Sequence, residues 1–294
     1  SIVKNLVDNE KKVNSFSIYL KENKYDESIY IKEVVKKYNL EHKSITISAD
    51  ISIDEINQAL NSLDEPYSDP SVVPAYILSK EISQYYKVAI SGDGGDELLG
   101  GYERTMRSLQ KSGSFRNLIS KAYNWYPSIL GTGNKLLSNS GNLEIKYRSF
   151  LEDKKLTNLL NVSSSSNTFA EGLDYKDINF YKKLLIADYK FFLPEMMMFK
   201  IDRTSMANSL EVRSPFVDHK LIEYILSTKN SYFEIDRSKS LLKDYLLEDF
   251  NKDFVNREKM GFIFDLETWV YSNINKIEKY FYDGIIVQNL NKNI

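Results

Sequence analysis

Cysteine is absent from the 294 residues, which excludes disulfides, thiolate catalysis and cysteine-based zinc sites. The two histidines, His42 and His219, are too few and too far apart in sequence to predict a zinc site. We therefore interpret them as ordinary polar residues.

The sequence also lacks a strong charge of either sign, since 39 basic and 41 acidic side chains leave a net charge of −2. A nearly neutral chain has no overall attraction to nucleic acid or to an anionic membrane, so neither is expected as a partner. No apolar run approaches the roughly 20 residues of a membrane helix, and no signal peptide is recognised. We expect a cytoplasmic protein.

The first hundred residues alternate strand-like and helix-like segments, as in a parallel sheet covered by helices. The strand candidates are "VNSFSIYL" (13–20), "SITI" (44–47) and a buried "KVAI" (87–90). Ser52 and Glu55 have the spacing of a capping box and predict that a helix starts between the second and third strands. The pattern predicts an α/β fold.

Beyond about residue 108 the strand-helix alternation stops and long helical patterns dominate. We therefore predict an α/β part over 1–107 and a mostly helical part over 108–294. The first part is expected to bind a ligand at the carboxyl ends of its strands, where open α/β sheets place their sites.

One loop at such a strand end, "AISGDGGDELLGGYER" (89–104), combines five glycines with four acidic side chains. Bare backbone at Gly92 and Gly94 lets N–H groups approach a phosphate closely. Asp96 and Glu97 would repel that phosphate unless a divalent cation, best Mg²⁺, stood between them. The residue types alone leave a solvated, Asp-capped turn equally open.

The segment "SGDGGDELLGGYER" (91–104) resembles the S-G-[ED]-G-[GSA]-D-E-[LVI]-[FL]-G-G-Y signature of the asparagine synthetase family. Other blocks resemble the same family in the same order: "YDE...YIKEVVKKYNLEHK" (25–43), "DEPYSDPSVVPAYILSK" (64–80), "LPEMMMFKIDRTSMANSLEVRSPFVDHKLIEY" (193–224) and "REKMGF" (257–262). The resemblance covers most of 1–107 and 181–270.

The resemblance implies a parallel sheet flanked by helices, of the adenine-nucleotide alpha-hydrolase-like, PP-loop type, followed by a mostly helical region. It also implies a ligase that uses ATP and Mg²⁺ to adenylate the side-chain carboxylate of aspartate, or a related acid such as a sugar acid. Ammonia, released from glutamine by a separate glutaminase domain, would then attack the acyl-adenylate. A homodimer is compatible with this family.

Site residues carried over from the family stay implied by the resemblance. Asp93 would take a proton from the attacking ammonia, and Lys259 would lie near the acyl phosphate, where a fixed cation offsets developing charge. Asp96 and Glu97 would be the metal ligands. The implied nucleotide-binding residues are Ser91, Gly92, Gly94 and Asp96.

The sequence departs from the family in lacking the S-G-G-x-D-S nucleotide loop and the cysteine-nucleophile glutaminase domain. We therefore expect the 294 residues alone to bind ATP weakly and to be inactive. The alternative is a non-catalytic family member or interaction module that has lost the nucleotide loop.

Two arginines are further candidates for gripping a substrate carboxylate. Arg203 and Arg213 both have the fork of donors that such binding needs. For Arg213 a buried ion pair with Glu211 or Asp218 is at least as well supported, and this block is interpreted as organising the domain.

Overall fold

The computed structural model describes residues 2–10, 12–20, 27–47, 51–105, 178–228, 239–257 and 264–283. The strands are β1 (Asn14–Leu20), β2 (Glu41–Ile47), β3 (Val88–Ile90) and β4 (Glu211–Arg213). The α-helices are α1 (Ile2–Asp8), α2 (Ser28–Lys37), α3 (Ile53–Asn61), α4 (Val72–Ser83), α5 (Gly95–Leu99), α6 (Phe180–Ala187), α7 (Phe199–Met206), α8 (His219–Ser227), α9 (Ser240–Leu246), α10 (Lys252–Val255) and α11 (Leu266–Asp283). A π-helix (Asp188–Met198) joins α6 to α7, and a 3₁₀ turn covers Pro215–Val217.

The described residues fall into two compact units that do not follow the chain order. Unit 1 takes its residues from 1–91, 198–213 and 245–281, and unit 2 takes its residues from 92–197, 214–244 and 282–294. The boundary predicted at 107/108 lies within 106–177, outside the described residues, and stays a prediction.

In unit 1, β1 and β2 pair in parallel over their whole length, from Asn14 opposite Glu41 to Leu20 opposite Ile47. Parallel neighbours need a crossover connection, and α2 provides it. The predicted capping box is confirmed because the Glu55 N–H donates to Ser52 Oγ at 3.2 Å and the Ser52 N–H donates to Glu55 Oε2 at 3.2 Å. The strand-helix alternation predicted for this part is confirmed.

The second sheet of unit 1 joins distant parts of the chain and corrects one prediction. β3 pairs in parallel with β4, at residues 211–213, so the region after 108, predicted to be mostly helical, also supplies a short strand. The predicted burial of "KVAI" is wrong, because Val88 and Ile90 are 42% and 60% exposed. Within the described residues this sheet consists of two three-residue strands.

Each unit has an apolar core of its own. In unit 1, Trp269 of α11 is buried with Ile56 and Val72, and its Nε1–H donates to the Ile51 carbonyl at 2.8 Å. In unit 2 the core is formed by the buried residues Leu98, Leu99, Tyr181, Leu185, Ile222 and Ile225. Fully burying one such side chain contributes about 1.5–3 kcal/mol. The burial of Leu98 and Leu99 therefore stabilises the position of α5 within unit 2. Among the described residues, no helix has both the length and the apolar character required to cross a membrane.

Candidate active site

The acidic glycine loop begins where β3 ends and continues into α5. The Ser91 N–H donates to the Arg213 carbonyl at 2.9 Å, which extends the β3–β4 ladder by one residue. Ser91 belongs to unit 1, and the loop from Gly92 onwards belongs to unit 2. α5 then starts after Gly94, whose φ of +86° turns the chain into the helix.

The glycines of the loop differ in what surrounds them. A Cβ at Gly94 would lie 2.9 Å from Val217 Cγ1, and a Cβ at Gly100 would collide with the Tyr181 ring. Packing therefore requires glycine at both positions. An added Cβ at Gly92, in contrast, meets no atom of the described residues within 4 Å, and Gly92 is exposed. The described residues of unit 2 therefore do not require a glycine at position 92.

Two of the loop carboxylates face different surroundings. Asp93 is half-buried, and its carboxylate makes no hydrogen bond or ion pair with any residue that the structure describes. Asp96 Oδ1 lies 2.6 Å from the Lys239 Nζ, and the two side chains are 26% and 30% exposed. Asp96 therefore faces a positive charge that Asp93, among the described residues, does not.

Glu97, the third acid, points into the core of unit 2, where it is 1% exposed. The Tyr102 hydroxyl donates to Glu97 Oε1 at 2.5 Å. Burial, together with the negative charges of Asp96 and Asp188, raises the pKa of Glu97 despite the hydrogen bond from Tyr102. Its role as a metal ligand stays a prediction, which this burial does not favour.

Arg104 and Asp188 form an ion pair at the C-terminal end of the loop, and neither residue was predicted from the sequence. Arg104 Nη2 lies 2.7 Å from Asp188 Oδ1, and the Asp188 side chain is completely buried. The guanidinium also lies over the rings of Tyr102 and Phe192, at 3.7 and 3.9 Å from their centroids. These partners lie 84 residues apart, so no local spacing could relate them.

The other candidate residues occupy separate positions. Lys259 lies outside the described residues, and its proximity to the acyl phosphate stays a prediction. Arg213 does pair with Glu211, at 2.8 Å from Nε to Oε1, but the prediction that this pair is buried is wrong because the side chains are 64% and 55% exposed. Asp218 caps α8 by accepting from the Lys220 N–H.

Arg203 and His42 lie in unit 1. Arg203 Nη2 lies 3.2 Å from Asp64 Oδ2, so this guanidinium already has a carboxylate partner. His42 is a polar member of the β1–β2 sheet, in hydrogen-bond contact with the hydroxyls of Ser15 at 2.9 Å and Ser17 at 3.1 Å. Within the part of the chain that the structure describes, no three His, Asp or Glu side chains lie close enough together to share one metal ion.

Comparison with known proteins identifies the family to which the chain belongs. The family model described as asparagine synthase matches residues 1–290. The chain therefore belongs to the asparagine synthase family, and the resemblance inferred from its sequence blocks is confirmed.

Two curated relatives, both from Bacillus subtilis, illustrate the similarity. The chain is 25% identical over 287 residues to "Asparagine synthetase [glutamine-hydrolyzing] 1", a match that covers 90% of this chain and 44% of that protein. It is 24% identical over 237 residues to "Asparagine synthetase [glutamine-hydrolyzing] 3", which covers 80% of this chain and 36% of that protein. The chain thus spans less than half the length of these relatives.

Proposed function

We propose that this chain is the synthetase part of an ATP-dependent amidotransferase, with a fold of the adenine-nucleotide alpha-hydrolase-like, PP-loop type. The observation that carries the proposal is the family match over 1–290, which includes the loop at 91–104. The small parallel sheets and the helix between β1 and β2 agree with this fold.

The proposed reaction has two steps. A carboxylate oxygen of the acceptor attacks the α-phosphorus of ATP, pyrophosphate leaves, and an acyl-adenylate forms. The nitrogen of ammonia then attacks the acyl carbon, AMP leaves, and the amide is released. We propose aspartate or a related acid as the acceptor, because both relatives are named asparagine synthetase, and glutamine as the ammonia source through a glutaminase domain, because both names include "glutamine-hydrolyzing".

Asp93 is proposed as the base for the second step. The amine nitrogen gains a positive charge as it attacks, and a carboxylate within reach lowers the barrier by accepting its proton. The Asp93 carboxylate is half-buried and makes no hydrogen bond or ion pair with the described residues, so it does not have to break such an interaction to act. Lys259 is proposed, on the resemblance alone, to stabilise charge on the acyl phosphate.

Asp96 is proposed to hold Mg²⁺, and its surroundings fit this role. Mg²⁺ binds through one or two carboxylates, substrate phosphates and retained waters, so a three-residue cluster is not required. The Asp96 carboxylate is a hard oxygen donor, and the structure already brings one cationic group, that of Lys239, to within 2.6 Å of it. Bound Mg²⁺ would offset the charge of the departing pyrophosphate.

Ser91, Gly92 and Gly94 are proposed to line the nucleotide. Gly92 is the best supported of the three, because a Cβ there would meet no atom of the described residues within 4 Å. Gly92 carries no side chain although the described residues leave room for one. Such a position is suited to a ligand that must come close to the backbone.

The Asp93→Asn variant tests the proposal by separating the two steps. In the complete product of the gene that encodes this chain, ATP–pyrophosphate exchange supported by the acceptor should be retained within about threefold, whereas amide formation should fall by about 10²–10⁴. Exposed Glu223 on α8 provides a matched control, and Glu223→Gln should change neither rate. Equal loss of both rates in Asp93→Asn would exclude the base role, and the absence of exchange in the unmodified protein with every carboxylate tried would exclude the proposed function.

A further inference from the structure

Lys239 forms an ion pair with the loop residue Asp96, and neither the sequence nor the proposed mechanism explains this contact. Its Nζ lies 2.6 Å from Asp96 Oδ1, although the two residues are far apart in the chain and the sequence around Lys239 shows no loop or site motif. Asp96 Oδ1 is fully buried. A metal ion therefore reaches this oxygen only if the ammonium group moves away.

The backbone around Lys239 holds the residue in this place. The Lys239 N–H donates to the Leu99 carbonyl at the end of α5, at 3.0 Å, and the Lys243 N–H donates to the Lys239 carbonyl at 2.9 Å. Lys239 also adopts a φ of +55°, a left-handed conformation that a lysine rarely takes without support. The residue is thus attached at once to α5, which carries Asp96, and to α9.

Gly101 makes room for the pair. A Cβ at this position would collide both with Asp96 Oδ1 and with Lys239 Cε. The Gly101 N–H donates to the Asp96 carbonyl at 2.8 Å, so the same turn also fixes the Asp96 backbone. The bare backbone at this glycine accommodates the ion pair rather than a phosphate.

From this geometry we propose that Lys239 is a built-in competitor for the metal at Asp96. Its ammonium neutralises the carboxylate when no metal is bound, and a metal ion that takes Oδ1 must displace it. The inference rests on the proposed function, because it takes Asp96 as the Mg²⁺ ligand. Its consequence is that the chain binds Mg²⁺ less tightly than the bare carboxylate would.

A Mg²⁺ titration of the 294-residue chain tests this competition without any measurement of activity. The readout is the shift of the backbone amide signals of Gly94, Gly95 and Gly101 in ¹H–¹⁵N NMR spectra, which detects binding in the millimolar range. Lys239→Met keeps the length of the side chain and removes its charge. We expect its Mg²⁺ dissociation constant to fall by about two- to fivefold, the amount that corresponds to the loss of a half-exposed ion pair.

Four further variants make the result specific. Lys239→Arg keeps the charge and should bind Mg²⁺ as the unmodified chain does, and Lys243→Met, on α9 one turn after Lys239, should also leave the dissociation constant unchanged. Lys239→Gln provides a second neutral variant should Lys239→Met fail to fold, as judged by its amide spectrum. Asp96→Asn should abolish the Mg²⁺-dependent shifts.

The outcomes separate this inference from the proposed function. Equal dissociation constants for the unmodified chain and for the neutral Lys239 variants would overturn the competition while leaving Asp96 as the ligand. Absence of saturable shifts in all chains, or shifts that persist in Asp96→Asn, would overturn the assignment of the metal to Asp96 itself.

Discussion

Gly92 and Gly100 lie in the same loop, but different constraints act on them. Gly100 has a φ of +69° and no space for a Cβ against Tyr181, whereas Gly92 has no described residue in the way of a Cβ and no left-handed φ. A side chain at Gly100 therefore conflicts with unit 2, whereas a side chain at Gly92 conflicts with none of the described residues.

Replacing each of these glycines with alanine should separate stability from nucleotide binding. Gly100→Ala should lower the free energy of unfolding by about 1–3 kcal/mol, because strain and overpacking add. Gly92→Ala should change it by no more than about 0.5 kcal/mol, as surface substitutions do, and yet weaken Mg-ATP binding. Urea unfolding and isothermal titration of the complete gene product measure the two effects. The interpretation fails if Gly92→Ala binds Mg-ATP normally or is the less stable variant.

The acidic residues of the loop show how far the sequence could predict the site. The dense acids and glycines predict a site in this loop, but Asp93, Asp96 and Glu97 look equivalent in the sequence. Their separation comes from the five-residue helix α5, which turns Glu97 into the core beside Leu98 and leaves Asp96 half-buried. Such a short helix has no periodicity from which these orientations could be predicted.

Among the secondary-structure elements, those with a local signal were predictable and those without one were not. The capping box that starts α3 depends on two residues three positions apart, and it was predicted correctly. β4 consists of only Glu211, Val212 and Arg213, and is a strand because it pairs with β3. No window of a few residues contains that partner, so its strand character could not be read locally.

A buried ion pair links α7 to the segment before α4. Lys200 Nζ, in a side chain that is 5% exposed, lies 3.0 Å from Asp69 Oδ2 and 2.7 Å from Ser71 Oγ. Burial alone would raise the pKa of Asp69, but the charge of Lys200 and hydrogen bonds from Ser71 outweigh it and lower the pKa. The folded state therefore favours the ionised carboxylate.

Lys200→Met should destabilise the chain in a pH-dependent manner. At pH 7 we expect the free energy of unfolding to fall by about 2 kcal/mol. This is less than for a fully buried pair, because the Asp69 side chain is 29% exposed. Since the pKa of Asp69 is lower in the folded chain, its contribution is present above an unfolded pKa of about 3.9 and is lost as pH falls through the folded value. The difference in the free energy of unfolding between the unmodified chain and the variant should therefore shrink below about pH 4.

Urea unfolding between pH 3 and pH 7 measures this difference, because the midpoints can be compared at each pH. Lys80→Met on α4 is the control, since Lys80 is exposed and bonds only to Gln58 among the described residues. A loss in Lys200→Met that stays constant down to pH 3 would show that packing, not the ion pair, links α7 to this segment.

At the scale of the whole molecule, the sequence predicted the α/β class and the family but could not predict how the chain divides. Unit 1 is discontinuous because its core joins segments from both ends of the sequence. Trp269 donates to the Ile51 carbonyl 218 residues away, and Lys37 donates to the Asp249 carbonyl 212 residues away. Contacts of this range depend on tertiary packing and leave no periodic pattern in the chain.

Adenylation of a carboxylate is the central claim, and oxygen transfer tests it most directly. The complete gene product is incubated with ATP, Mg²⁺, ammonia and a carboxylate labelled with ¹⁸O, aspartate first and then sugar acids, and the phosphorus products are analysed by ³¹P NMR and mass spectrometry. We predict one ¹⁸O atom in AMP, together with unlabelled pyrophosphate, because the acyl oxygen bonds to the α-phosphorus. Formation of ADP with ¹⁸O in inorganic phosphate would contradict the proposal, because the carboxylate would then have attacked the γ-phosphorus.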